Sequence, residues 1–389
     1  MKERRRFILI DRQGMILMNS LALLSVLMVA SVGAVIMLQN DFHLLGNLRR
    51  ATAAFYISVA GVEWAKSELA SANGFPQSPS KHSKPVSPGH FVVTFLSSTV
   101  TGPLAARFTV HSVGVSGAAE NAVQAQLTKS YDLADAALVV RGNGAGISLG
   151  AGTFISGVDH DPNSGQGSGI RSRNSVSVVN DAQRTMVMDA LGNPPRQGIL
   201  DESAGMPAIT LSELLPANLV AQLADNLCAL ATVSVHSIPA GAGLTIENQT
   251  WGNLAAPQVH CIEGSLGSGD VATMAGSVTG AGILVIKNAD LLLSGSFRWQ
   301  GLVLISGTDI SFRTTGSGAN EVVGAIIVNE SGTPVEGRKF LNFEGPTRIL
   351  FSRQALARGA SLVPAAMANI AYESLPSLIS QDYWRSVTP

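Results

Sequence analysis

From Met15 to Leu38 the chain runs 24 residues without a charge, in "MILMNSLALLSVLMVASVGAVIML". As a helix this stretch spans roughly 36 Å, enough to cross the hydrocarbon of a bilayer with some tilt. Lys2, Arg4, Arg5, Arg6 and Arg12 precede the run and Asp41 follows it. The positive-inside rule therefore predicts a cytoplasmic amino terminus and a bulk that lies across the membrane, periplasmic or outside the cell. A cleavable secretory signal is not expected, because the apolar run is long and ends Val35-Ile36-Met37-Leu38-Gln39 rather than in small residues of the A-x-A kind.

The basic leader ends in Gly14, directly before the apolar run, where a small residue lets a membrane peptidase bind extended chain. Arg12-Gln13-Gly14-Met15 in this setting resembles the leader of type IV pilins and pseudopilins. That resemblance implies cleavage by a prepilin peptidase after Gly14 and methylation of the new terminus, Met15. It also implies partners: other pilin-like subunits within the inner membrane. The fifth mature residue, usually Glu in major pilins, is Asn19 here. A carboxylate in lipid needs a pairing partner, so its loss points to a minor or tip subunit.

The next segment, "NLRRATAAFYISVAGVEWAKSELASANGFP", repeats apolar residues at Leu48, Phe55, Val62 and Leu69, with Val59 on the same face. This spacing predicts an amphipathic helix, capped at Asn73-Gly74 and stopped by Pro76. Its wording, "AAFYISVAGVEWAKSEL", resembles PilX-type pilus-assembly proteins, with Ser58-Val59 where that family often has Ala-Glu. For Glu63, conserved in kind with the resembling segment, two readings stand: a subunit contact, or a solvated helix face.

Residues 77–89, "QSPSKHSKPVSPG", read as an exposed linker. After it "FVVTFL", "ARFTVHSVGVSG" and "NAVQAQLTKSY" alternate apolar and polar residues between glycine turns, the pattern of a small antiparallel sheet. His111 falls within this alternation as a surface strand residue.

From about Ala136 short apolar bursts are cut by Gly, Asp, Asn and Ser. Bursts starting at Ile283, Leu302, Ala325 and Arg348 lie 19, 23 and 23 residues apart, with "DLLL" and "DISF" between. A repeat of this length suggests stacked coils that share one core. Phrases such as "FISGVDHD" and the terminal "QDYWRS" also resemble the regions attached to PilX-type amino termini. Residues 157–280 are expected to interrupt the coils, with "TLSELLPANLVAQLADNLCALATV" a helix pair around Pro216.

The expected organisation is α+β: a leader at 1–14, a transmembrane helix at 15–38 and an amphipathic helix at 39–74. A pilin-like antiparallel sheet follows at 75–131, then a mainly β body at 132–389 resembling a short β-helix or solenoid with a helical insertion. Composition agrees, with 40 glycines and only 5% aromatics favouring short strands and tight turns. Lys plus Arg (26) balance Asp plus Glu (27), so no field attracts nucleic acid.

Candidate chemistry is sparse. Cys228 and Cys261 can form a disulfide in an oxidising compartment, or stand as two buried thiols. Asp159, Asp161 and Asn163 place oxygens on alternate residues as calcium loops do, but Ser164 and Ile170 replace the Gly and Glu that such a loop requires. Cys228, His236, His260 and Cys261 lack the paired spacing of a zinc site. Gly142, Gly144 and Gly146 do not follow the dinucleotide pattern, and no G-x-S-x-G elbow occurs. Trp299 reads as a sugar-stacking aromatic or as cover for the edge of the coils.

No cofactor is implied. The favoured reading is a non-enzymatic minor pilin-like or pseudopilin-like subunit of a type IV pilus or type II secretion system. The competing readings are a membrane-anchored adhesion protein whose β-helix binds carbohydrate, and a β-helix polysaccharide enzyme with acids far apart in sequence.

Overall fold

The computed structural model of the protein describes residues 3–72, 80–102, 104–143, 146–167, 173–192, 198–201, 208–230, 234–266, 269–332, 338–363 and 377–387; at 3–14 and 100–102 it describes the backbone alone. The architecture is α+β: one long apolar helix, an antiparallel sheet, and a mostly β body with few helices.

Helix α1 runs unbroken from Glu3 to Ser71, roughly 100 Å. It contains no proline, and its two halves differ in apolar character and in what covers them. Ala54, Ile57, Ser58, Val62, Ala65 and Leu69 recur at three and four residues and are buried against a sheet. Phe55 and Val59 flank this stripe, whereas Leu48 is 60% exposed. The predicted seven-residue stripe therefore begins nearly two turns too early, because the sheet covers α1 only from Ala54 onward. The predicted stop at Asn73, Gly74 and Pro76 lies outside the described residues.

The sheet on this helix begins as an antiparallel meander: β1 (Ser80–Val86), β2 (Gly89–Gly102), β3 (Ala105–Ser116) and β4 (Ala119–Tyr131). Residues 80–86 were expected to be part of a linker. They form the edge strand instead, because Trp64 reaches out from α1 to pack on the His82 ring at 5.2 Å and takes the Lys84 ammonium over its face at 5.3 Å. Lys81, Lys84 and Pro85 on that edge disfavour further pairing.

Glycines set how closely helix and sheet approach. A Cβ on Gly114 would meet the Ala54 carbonyl oxygen at 2.1 Å and the Ser58 nitrogen at 2.4 Å. Gly61 makes room for Ser112 from the helix side.

The body comprises β5 (Ala136–Gly142), β6 (Ile147–Leu149), β7 (Thr153–Ser156), β8 (Asn174–Val178), α2 (Asp181–Leu191), β9 (Ile209–Leu211) and α3 (Ala217–Cys228). It continues with β10 (Ser234–Ser237), β11 (Gly243–Glu247), β12 (Thr250–Trp251), β13 (Gln258–Glu263), β14 (Val271–Ala275), β15 (Ser277–Lys287), β16 (Asp290–Leu293) and β17 (Ser296–Gly307). The last body elements are β18 (Phe312–Thr314), β19 (Asn320–Glu330), β20 (Leu341–Phe343), β21 (Thr347–Phe351) and α4 (Arg353–Ala360).

All named body pairings are parallel. The main rows run β10-β13-β15-β17-β19-β5-β8-β9, and a second sheet runs β11-β14-β16-β18-β20-β6. The long strands β15 and β19 each serve two rows: β15 pairs β12 with its first half and β13 with its second, and β19 pairs β21 and then β5. Where the rows part stand Gly282, Gly301 and Gly324, in register with one another and at φ 121°, 137° and 153°. Any side chain here would strike the backbone of the strand below, 2.1 Å away at Gly301.

Ile283, Leu302 and Ala325 stack as the repeat predicts. The fourth burst does not: Arg348 pairs with Glu321 in the other row, and the strand beside Ile326–Val328 is Leu138–Val140 of β5. The body thus closes on its own beginning. It starts mid-stack at β5, winds outward to β9, returns along α3 to β10, and winds back until β19, β20 and β21 meet β5, β6 and β7.

Three further expectations are corrected. Most of 157–280 is not an insertion, since β8 and β9 extend the main rows and β10 to β14 begin the stack at its far end. The helix pair around Pro216 is one helix, α3, because Ile209–Leu211 pairs with Val176–Val178 as a strand. The buried Arg141 guanidinium fixes the intervening turn by donating to the Leu214 and Leu215 carbonyls at 2.7 and 2.9 Å. Finally, β22 (Ser377–Val387), expected within the body, pairs antiparallel with β4 and completes a five-stranded sheet on α1.

Candidate functional site: the uncovered length of the long helix

Among the described residues nothing covers α1 from Met15 to Ala53 beyond isolated half-buried positions. Among the described residues this is the one helix long and apolar enough to cross a membrane, with a mean hydropathy of 2.6 in its most apolar window and none of that window buried. It fits a single-pass membrane anchor. The hydroxyls of Ser20, Ser25 and Ser31 donate to the Leu17, Ala22 and Met28 carbonyls at 2.8, 2.7 and 2.8 Å. These polar groups are satisfied within the helix, so they add little cost in lipid.

Gly14 lies inside the helix rather than at a break, and Met15 and Asn19 are exposed on its surface. Apolar exposure does not stop at Leu38. Phe42, Leu44, Leu45, Leu48 and Tyr56 carry it down to the head, where Phe55 meets Trp384 of β22 at 6.1 Å. Glu63 sits at this seam, beside a shallow cavity lined by Val59, Val62, Val123, Gln381 and Trp384. Its carboxylate is exposed and 2.6 Å from the Lys66 ammonium, an ion pair within one helical turn.

At the other end of α1, the buried Lys129 ammonium donates to the Ala72 carbonyl at 2.5 Å and lies 5.0 Å from the Tyr131 ring centre. A cation there complements the carbonyl end of the helix. Burial lowers its pKa to about 8. Sequence reading missed this residue, since a lysine in an alternating strand looks solvent-facing.

The residues proposed for other chemistry do structural work. Asp161 accepts from the Asn163 and Ser164 amides at 2.9 and 2.8 Å, which together with the Ser164 hydroxyl hold its pKa low, the Ser164 amide most. Asp159 turns elsewhere and accepts from the Arg353 amide at the start of α4, at 2.8 Å. The loop straps α4 to the stack, and the Pro162 carbonyl accepts from the Gln300 amide. Cys228 and Cys261 are bridged, with Cα atoms 5.4 Å apart, which joins the end of α3 to β13. Both sulfurs are thus withdrawn from any zinc set, and the described residues hold no cluster of three His, Cys, Asp or Glu that could bind a metal. Trp299 is fully buried and donates to the Gly282 carbonyl at 3.3 Å, so it is core rather than a sugar platform.

A further signal was present and unread. Asp270, Asp290 and Asp309 each directly precede the apolar burst of a second-sheet row, in "GDVATM", "ADLLLS" and "TDISF". Asp270 accepts from the Gly241 and Ser265 amides, and Asp290 from the Ser311 amide, all at 2.7 Å. At the third corner Glu330 takes that part, accepting from the Asp309 and Ile310 amides at 2.9 and 2.7 Å. These acids satisfy corner amides between successive coils, not a substrate.

No family model matches the chain, and no curated protein is detectably similar to it. Among solved structures, the crystal structure of the competence-associated pilin ComZ from Thermus thermophilus aligns with 87% of this chain and 97% of its own, at 14% identity and a TM-score of 0.22. A superposition this loose establishes neither a shared fold nor a shared role.

Proposed function

We propose that the chain is a non-enzymatic minor pilin-like or pseudopilin-like subunit that takes part in type IV pilus assembly or type II secretion. The observation that carries this reading is α1 itself: a single rigid helix, bare and apolar through one half and buried in a small antiparallel sheet through the other. Such a helix holds a folded head at a fixed distance from a membrane or from a bundle of like helices.

On this reading the leader stays in the cytoplasm and a prepilin-type peptidase removes residues 1–14 by cutting between Gly14 and Met15. Met15 is then methylated, and residues 15 to about 53 pack among the helices of other pilin-like subunits. Asn19, in place of a carboxylate, and the large body suit a tip or priming position better than a repeating shaft. The body is read as a short β-helix, and the bridged Cys228 and Cys261 accord with an oxidising periplasm. The carbohydrate-binding alternative loses its aromatic candidate with the burial of Trp299.

Mass spectrometry of the mature amino terminus tests this reading. Methylated Met15 is expected from cells that contain the peptidase. An intact Met1 in the membrane-inserted protein would overturn it.

A further inference from the structure

The far end of the stack, β10 to β12, closes on three aromatic rings. Trp251 lies parallel to His260 at 4.5 Å between centroids and to His236 at 5.6 Å, and the two imidazoles are 6.3 Å apart. Trp251 and His260 are buried. His260 Nδ1 and His236 Nε2 are buried with no hydrogen-bond partner, while His260 Nε2 meets the Gln258 side-chain oxygen at 3.1 Å.

Among the described residues no carboxylate pairs with either ring. From β12 comes Trp251, from β15 Leu284 in register with His260, and from β17 Trp299, edge-on to Trp251. Acids on the neighbouring elements are engaged or exposed. Glu263 and Asp225 pair with Lys287 toward α3, Asp270 accepts corner amides, and Glu247 is exposed on β11. A proton arriving on the His260 imidazole creates a buried cation that, among the described residues, no carboxylate pairs with.

This row is also lightly tied down. β10 is the edge strand, paired on one side through only Ser234–Ser237, and three of its four residues are exposed. The disulfide stands at the boundary: Cys261 holds β13 to the end of α3, so the row can leave without loosening the strands behind it.

We infer that β10 to β12 form an acid-released end row, held while His260 is neutral and freed when it is protonated. The sign follows from burial first and the neighbouring His236 second, which lower the His260 pKa to about 4. A freed row binds protons near the ordinary imidazole value of about 6.5, so closure is complete above that pH and weakens as pH falls toward 4. Each unit in that window raises the opened fraction about tenfold.

Hydrogen exchange with mass spectrometry on the full chain in detergent micelles, corrected for intrinsic exchange, reads this directly between pH 7 and pH 5. Peptides covering 234–251 should lose protection about tenfold per unit below pH 6.5, while those covering 296–307 and 320–330 hold theirs. In a His236→Phe/His260→Leu variant the 234–251 peptides should be equally protected at both pH values. Flat protection in the wild type overturns the inference, as does persistent acid sensitivity in the variant. If the double variant does not fold, His260→Gln replaces it, with a flat pH profile expected and a persisting slope overturning.

Discussion

Along β3, in the head, buried residues alternate with less buried ones, because only the side facing α1 is covered. Along Ile283–Ile286 of β15, in the body, every residue is fully buried, because the core lies on one side and helices α3 and α4 on the other. The head is a set of hairpins whose partners are near in sequence, joined late by β22. The named strands of the body pair in parallel and join β5 to β19, nearly two hundred residues apart by number. Two sheets on one chain thus depend on different contacts: side chains against a helix in the head, and backbone stacking with shared corners in the body.

The most severe way to break that difference is Gly301→Val. Its Cβ would lie 2.1 Å from the Gly282 carbonyl oxygen, at a φ of 137° that valine avoids. We expect a loss above about 4 kcal/mol, in the range of exceptional single substitutions. Hydrogen exchange should show protection lost across the body and kept in β2 to β4. Gly243→Ala is the control, since nothing lies closer than 3.7 Å to that position. Simultaneous loss in the head would show that the two sheets fold as one unit.

Next comes the covalent tie. Cys228 and Cys261 are 33 residues apart, and opening a loop of that size by a double Cys→Ala change is expected to cost about 3 to 4 kcal/mol. Differential scanning calorimetry should show the body transition lowered and the head transition in place. Reduction of the wild type should reproduce the shift, and an unchanged body transition would mean that α3 is held by packing alone.

The same difference explains what the sequence disclosed. Period-two alternation exposed the head strands, and the apolar run exposed α1, because each reflects one covered face. The stripe was misplaced at Leu48 because where a helix meets its sheet is a tertiary fact. In the body, bursts revealed strands but not rows: Arg348–Phe351 has the look of a fourth repeat, yet its partner is the other half of β19. Closure onto β5 has no local signature at all. Of the candidate site, Gly14, Met15 and Asn19 are read from the sequence alone, as a pattern before an apolar run, and the structure adds only that they lie on α1. The polar β1 was not legible as a strand, since its pairing depends on Trp64 from α1.

The smallest effect tests whether the head relies on its helix as argued. Lys129 stands between β4 and the carbonyl end of α1, with its pKa lowered to about 8 by burial. In the unfolded chain an ordinary lysine holds its proton to about pH 10.4. Between these values the unfolded chain binds the proton that the native head has released, so stability gains from this residue as pH rises from 8 toward 10. Below pH 8 both states are protonated and the burial penalty on the ammonium is present in full. Lys129→Met removes the titration and leaves every other lysine and tyrosine in both proteins. Urea unfolding of the head at pH 7.5 and pH 9.5 should therefore show wild type gaining on the variant at the higher pH. A difference that does not change with pH would mean that the ammonium is solvated, and that the end of α1 lies less firmly on β4 than its contact with Ala72 implies.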